Sequence, residues 1–317
     1  MADLYVKIGS IEMKNPVMVA SGTFGYDDDY QSLVDISKLG AIVTKSVTLK
    51  ARQGNPTPRA AETPSGMLNT IGLQNKGVDR FIDEDIPKLA KFGNPIIVNI
   101  AGESIADYKN IAKILDKLPQ VAGLEVNISC PNVKKGGMQF GVDPRCAADV
   151  IKNVRKNTKK TVIAKLSPNV TDIAAIGKSV ERAGAHAISA INTVRGMAID
   201  INTGKPKLST IFGGLSGPAI RPIAVRAVWE LSHAVKIPII GMGGIMTADD
   251  AIEFIFAGAS AIAVGTANFA DPSASIKVIE GINKYLDENQ IPSLTLLSQY
   301  SRAVSRSSNS ILMPEKS

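Results

Sequence analysis

Cysteine and histidine are nearly missing: the chain has 2 of each in 317 residues. Cys130 and Cys146 are too few for a disulfide framework, so a reducing, intracellular setting is expected. Together with the scattered His186 and His233 they supply no zinc ligand spacing, and no metal is expected. A Ser-His-Asp triad has no local support either. Aromatic residues make up only 5% of the chain, with 1 tryptophan. That argues against an aromatic-rich β-sandwich, while the plentiful Ile, Val, Ala and Gly suit buried parallel strands. No uninterrupted apolar run approaches ~18 residues, so no transmembrane helix is expected. Met1 leads straight into the apolar-alternating stretch 4–8 without a signal pattern. A cytoplasmic, soluble protein is the expectation.

The formal charge is +7. Lys and Arg are scattered among acidic residues, so a nucleic-acid partner is not expected. The densest run, 152–160, ends a predicted helix, where cations favour the dipole. A modest positive field would help recruit anionic small molecules.

Short apolar runs alternate with helical patterns almost from end to end. Strands are predicted at 17–20, 41–45, 96–100, 124–128, 162–166, 187–191, 239–241 and 261–264. They are rich in β-branched residues and poor in charge, as buried parallel strands should be. Helices are predicted at 27–37, 79–91, 104–118, from Asp143-Pro144 to about 157, and at 171–183, 220–235, 247–257 and 272–288. Gly40, Gly93, Gly184 and Gly258 follow helices as expected C-caps. Eight β-then-α units predict an α/β fold, a single (β/α)₈ barrel. An open doubly wound sheet would show a G-x-G-x-x-G turn after its first strand, and Ser21-Gly22-Thr23-Phe24-Gly25 lacks that spacing. Residues 5–8 and 11–13 read as an N-terminal hairpin closing the barrel floor. Long insertions follow strand 2 (46–78) and strand 6 (192–219), both at the strand C-termini where barrel active sites lie. The barrel is expected to span 1–304 and a frayed tail 305–317.

The strand ends carry the chemistry. Gly243-Gly244 before a helix opening at Thr247, and Gly265-Thr266 after strand 8, suit a phosphate held by glycine N–H groups and a helix N-terminus. Lys45 and Lys165 face one mouth, where unpaired lysine is rare, and suggest an anion between them; the alternative is that each pairs with a local carboxylate. Asn99, Asn127 and Asn192 add neutral donors and acceptors suited to amide edges. Asn69 and Asn75, in the first insertion, are expected to reach over the mouth. Cys130 is the obvious proton-transfer group; a thiol titrating near ~8.5 needs help from cationic neighbours. Cys146 and both histidines are read as structural. The stretch 132–141, with Gly136-Gly137, reads as a lid.

Several motifs together resemble one family. They are Ala20-Ser21-Gly22-Thr23, Thr44-Lys45-Ser46, Asn69-Thr70-Ile71-Gly72-Leu73-Gln74-Asn75, Asn127-Ile128-Ser129-Cys130-Pro131-Asn132, Gly214-Leu215-Ser216-Gly217 and Gly241-Met242-Gly243-Gly244-Ile245. In this order they look like cytosolic dihydroorotate dehydrogenase, a TIM-barrel flavoenzyme, over about 4–287. A cysteine base marks the soluble class. The stretches 130–141 and 192–200 resemble the NAD-linked (B) type. The resemblance implies FMN, with its phosphate at Gly243, Gly244, Gly265 and Thr266. Ser21, Lys45, Ser46, Asn99, Asn127, Lys165, Ile191 and Gly217 would contact the rest. Dihydroorotate would be held by Lys45, Asn69, Thr70, Ile71, Gly72, Leu73, Asn127, Asn192 and Thr193. Cys130 would take the C5 proton while C6 gives hydride to flavin N5, and Lys165 would stabilise the anionic reduced ring.

The NAD-linked type is a heterotetramer: a homodimer of this chain plus two electron-transfer subunits carrying FAD and a [2Fe-2S] cluster. This chain has too few cysteines for that cluster. A fumarate-using homodimer is the runner-up. Rival classes are a tRNA-binding, dihydrouridine-synthase-like flavoprotein and a non-catalytic phosphate-binding barrel. A gel shift with tRNA would identify the first, and colourless protein without flavin uptake the second.

Overall fold

The computed structural model describes residues 2–25, 32–128 and 141–297. Its strands run in chain order as β1 (Val6–Ile8), β2 (Ile11–Met13), β3 (Val17–Val19), β4 (Ala41–Val43), β5 (Ala60–Thr63), β6 (Gly66–Asn69), β7 (Ile96–Ile100), β8 (Val121–Asn127), β9 (Thr161–Leu166), β10 (Ala187–Ala190), β11 (Val194–Gly196), β12 (Gly213–Ser216), β13 (Ile239–Met242) and β14 (Ala261–Val264). Eight of them, β3, β4, β7, β8, β9, β10, β13 and β14, form a closed barrel of parallel strands. It closes where Ile262 pairs with Val17 and Val19 with Val264. Each falls on an apolar run read as a strand, and the (β/α)₈ architecture is the one the alternation implies.

Period-two alternation divides the core in two. Outward-facing residues such as Val98, Leu124, Val126, Val162 and Ala164 pack under the helices. Inward-facing Met18, Val43, Ile97, Ile163, Ile240 and Ala263 join Ile8, Ile11 and Met13 of the β1–β2 hairpin to fill the barrel floor. Burying each large aliphatic side chain there contributes about 1.5–3 kcal/mol. The plug needs Gly123, because a Cβ there would lie 2.7 Å from Ile11 Cδ1.

The outer helices are α1, which runs through Val78–Arg80, a π-type stretch Phe81–Asp85 and Ile86–Ala90, then α2 (Ile105–Asp116), α3 (Pro144–Arg155), α4 (Ile173–Arg182), α5 (Arg221–Ala234), α6 (Ala248–Phe256), α7 (Ala267–Ala270) and α8 (Ala274–Glu288). Their starts follow local chemistry. Ser104 and Asp107 form a capping box on α2, Asp143 caps α3 ahead of Pro144, Asp172 caps α4, and Thr247 and Asp250 form a second box on α6. The buried face of α3 is Ala147, Val150, Ile151 and Val154, a helical stripe turned to the barrel.

The structure corrects two expectations. Among its described residues, the helix predicted at 27–37 has only a 3₁₀ turn, Ile36–Lys38. The Asp35 carboxylate accepts from the N–H and the hydroxyl of Ser37, and such local bonding competes with an α-helix. Gly40 is not a left-handed cap, unlike Gly93, Gly184 and Gly258, whose φ angles are 70°, 97° and 107°. Its Cβ position is instead filled by Asn15 and by Met13 Cε at 2.9 Å. The two long insertions also meet: β5 and β6 from the first join β11 and β12 from the second in one sheet, ordered β11-β12-β6-β5. The proposed tail 305–317, residues 26–31 and most of the proposed lid lie outside the described residues.

Candidate active site

A buried polar layer lies above the apolar floor, two residues further along the same strands. On β8 the inner-face residue is Glu125, only 1% exposed. Its Oε1 accepts from Asn99 Nδ2 of β7 at 2.5 Å and from Lys165 Nζ of β9 at 3.3 Å. Its Oε2 accepts from Ser189 Oγ of β10 at 2.8 Å. Asn99 Oδ1 in turn accepts from Ser46 Oγ, just beyond β4, at 2.5 Å. Five consecutive strands therefore contribute to one connected network, as buried polar groups require. Asn127 lies beside it, in register with Lys165. The Asn127 backbone carbonyl accepts from the Tyr108 hydroxyl of α2 at 2.7 Å. Of the two sequence readings for Lys165, a local carboxylate partner is present; that does not remove it from the mouth.

Lys45 differs. It follows β4, where Thr44 N–H donates to Ile97 O and Val47 N–H to Asn99 O, fixing the 45–46 step against β7. Lys45 has no acidic partner among the described residues. Partial burial of its ammonium pushes its pKa down, and the nearby Arg59 guanidinium pushes it the same way. A lysine in this state gains from an anionic neighbour. The Ser21–Thr23 turn lies alongside: a Cβ on Gly22 would be 3.9 Å from Lys45 Cγ.

The insertion sheet carries Asn69, and Thr70, Ile71, Gly72, Leu73, Asn192 and Thr193 adjoin its strands in the chain. Asn69 is in register with Gly214, and Arg195 of β11 with the same residue. Asn69 Nδ2 donates to Gly214 O at 3.4 Å. Thr70 Oγ1 pairs with Thr210 Oγ1 at 2.7 Å and accepts from Asn55 Nδ2 at 2.9 Å. Asn55 N–H donates to Ile71 O, and Gly72 and Leu73 follow with φ angles of 75° and 58°. Asn192 anchors to the barrel through its N–H on Leu166 O, and Asn169 Nδ2 holds Thr193 O at 3.0 Å. Asn75 does not reach over the mouth. Its amide donates to Thr48 Oγ1 and Leu73 O, and its Oδ1 accepts from the Thr48 and Gly77 N–H groups.

The glycine turns at β13 and β14 supply backbone donors. Gly243 and Gly244 have φ angles of 124° and 76°. A side chain at Gly244 would strike the Arg221 backbone, with its Cβ 2.8 Å from N. The turn therefore sits tightly on the start of α5. The backbone N–H groups of Gly243, Gly244, Ile245, Gly265 and Thr266 have no hydrogen-bond partner among the described residues. Five such donors on two neighbouring strand ends fit a phosphate. At the entry to α6 the Met246 and Thr247 N–H groups are already taken, donating to Asp250 Oδ2 at 2.8 and 2.9 Å. That carboxylate is itself paired with Arg221. Gly217, φ 97°, joins the insertion sheet to α5, with Gly66 filling its Cβ direction. Ile191, 3% exposed, packs towards Gly243.

Cys130 lies outside the described residues. His186 Nδ1 accepts from Val162 N–H at 2.9 Å, at the start of β9, and His233 bonds Trp229 O on α5. Both are away from the strand C-termini. Burial pushes the Cys146 thiol up, and the Asp143 carboxylate adds to the effect. Sequence reasoning missed Glu125, Ser189, Arg59 and Asn169. Glu125 was the most visible, as a charged inner-face residue within an otherwise apolar strand.

Comparison with known proteins then adds a family. A family profile described as dihydroorotate dehydrogenase matches residues 3–286. A protein of Desulforamulus reducens named dihydroorotate dehydrogenase B (NAD(+)), catalytic subunit, is 58% identical over 289 residues, covering 91% of this chain and 95% of that protein. Proteins of the same name from Geotalea uraniireducens and Bacteroides thetaiotaomicron are each 55% identical over 289 residues, with the same coverage.

Proposed function

The chain belongs to the dihydroorotate dehydrogenase family, and from that premise we propose that it oxidises (S)-dihydroorotate to orotate in pyrimidine biosynthesis, as the catalytic subunit of an NAD-linked enzyme. FMN, when bound, supplies the two-electron acceptor that side chains lack. The residues fit that group. The N–H groups at Gly243, Gly244, Gly265 and Thr266 would hold its phosphate. Ser21, Lys45, Ser46, Asn99, Asn127, Lys165, Ile191 and Gly217 would contact its ring and ribityl chain. The observation that carries this reading is the set of backbone donors without a partner among the described residues at the ends of β13 and β14, on the same barrel rim as Lys45 and Lys165.

Dihydroorotate is a carboxylate with amide edges. Lys45 offers it a cation, and Asn69, Thr70, Asn127, Asn192 and Thr193 offer neutral donors and acceptors. Ile71, Gly72 and Leu73 shape the wall above. Cys130 removes the C5 proton, and the insertion sheet keeps water from the reacting face.

Electrons reach NAD through a partner. Two cysteines cannot ligate a [2Fe-2S] cluster, so that cluster and FAD belong on another subunit. A homodimer of this chain with two such subunits fits the exposed apolar side chains of the second insertion, Met197, Ile199, Ile201, Ile211 and Phe212. Among the described residues no helix is long and apolar enough to cross a membrane. The test is purification with and without a co-expressed iron–sulfur flavoprotein, followed by dihydroorotate oxidation assays with NAD and with fumarate. NAD reduction that requires the partner is expected. Efficient fumarate reduction by the isolated chain would instead favour the homodimeric type.

A further inference from the structure

We propose that Glu125 is the positioning residue of this site: it holds Lys165 so that the two face the cofactor as an oriented pair of zero net charge, not as a free cation. The proposal rests on the reading that Lys165 contacts FMN.

Glu125 and Lys165 are 1% and 7% exposed, and a carboxylate at that depth persists only when paired and hydrogen-bonded. Glu125 meets that condition through donors from three different strands: Asn99 at 2.5 Å, Lys165 at 3.3 Å and Ser189 at 2.8 Å. None of these is a sequence neighbour, so the contacts are set by barrel register. Asn99 is in register with Glu125, and Lys165 with Ser189. One side chain thus fixes two residues assigned to the cofactor, Asn99 and Lys165, and a third, Ser189, with no other assignment. Lys45, which has no acidic partner among the described residues, is left as the cation that attracts an anion.

The electrostatic consequence is specific. Reduced FMN carries negative charge, and opposite charges nearby favour the charged form. Removing the carboxylate alone leaves the layer one unit more positive and favours the reduced state. Removing the ammonium alone leaves it one unit more negative and disfavours that state. Losing both restores the original balance.

The experiment is the midpoint potential of bound FMN, by anaerobic dye equilibration, in wild type, Glu125→Gln, Lys165→Gln and the double variant, with FMN affinity measured for each apoprotein. Glu125→Gln should raise the potential, and Lys165→Gln should lower it. Each should change the relative affinity for the two redox states about tenfold, or about 30 mV for a two-electron couple. The double variant should return to within roughly threefold of wild type. A merely structural role would not give opposite signs. Both single variants moving the same way, or a double variant as displaced as Lys165→Gln, overturns the proposal. Should Glu125→Gln fail to fold, Lys165→Gln against the double variant carries the test, because neutralising both members strands no charge. A wild type that takes up no FMN overturns the reading of the site and the proposal with it. A loaded wild type with Glu125→Gln at the same potential overturns the proposal alone.

Discussion

The lower and upper halves of the barrel interior are built by the same strands and do opposite work. Ile97 and Asn99 share the inner face of β7, Gly123 and Glu125 that of β8, Ile163 and Lys165 that of β9, Ala187 and Ser189 that of β10. A step of two residues, roughly 7 Å along a strand, replaces aliphatic packing by a charged, hydrogen-bonded layer. Below, stability comes from area removed from water. Above, polar groups are held in place by one another, and the donors left over face the mouth. Conformational stability and reactivity are thus separated along the barrel axis, although both regions are buried.

That contrast can be broken at several points. Lys165→Ala, in the upper half, leaves the Glu125 carboxylate buried without its cation, so urea unfolding of the apoprotein should show a loss of ~3–5 kcal/mol. Wild-type stability in that variant would mean that Lys165 and Glu125 are not a buried ion pair. Ile97→Ala, in the lower half, should cost ~2–5 kcal/mol by the same measurement, yet leave FMN affinity nearly unchanged in isothermal titration. A large loss of affinity there would show that floor and mouth are not separable. Cys130→Ala should cut turnover at least ~100-fold while the protein stays yellow and as stable as wild type; near-normal turnover would remove this thiol from the reaction.

The smallest effect is expected at the floor, from pH. Burial holds His186 below the ordinary value of 6.5, with the Arg155 charge adding to it. The unfolded chain therefore binds the proton more readily. Its contribution to stability is full above pH 6.5 and falls as pH drops through the lower folded value. Replacing His186 by Phe should remove that part of the acid-side decline in thermal melts. An unaltered pH profile would show that the ring does not titrate differently on folding.

Most of the barrel was legible in the sequence because its strands are dense in Ile, Val and Ala and its helices open on Ser104, Asp143, Asp172 and Thr247. The insertion sheet was not. Ala60-Ala61-Glu62-Thr63 and Gly213-Gly214-Leu215-Ser216 have little β-branched character, and the pairing that joins the two insertions, β12 with β6, links segments far apart in the chain. Lys45, Lys165 and Asn99 were readable as polar residues ending apolar runs. Glu125 was overlooked because attention to the terminal residue of β8 passes over the position two before it, which shares its face. Asn75 shows the converse error: a polar residue beside a mouth can be wholly consumed by its own loop.

The proposed arrangement puts FMN on the rim that carries Lys45, Lys165 and the two glycine turns, where dihydroorotate can reduce it. Anaerobic mixing of the FMN-loaded protein with dihydroorotate tests this most directly. Loss of the yellow absorbance, with an equivalent of orotate formed for each FMN, is the predicted result. Protein that binds FMN but keeps its colour in excess dihydroorotate would contradict the account.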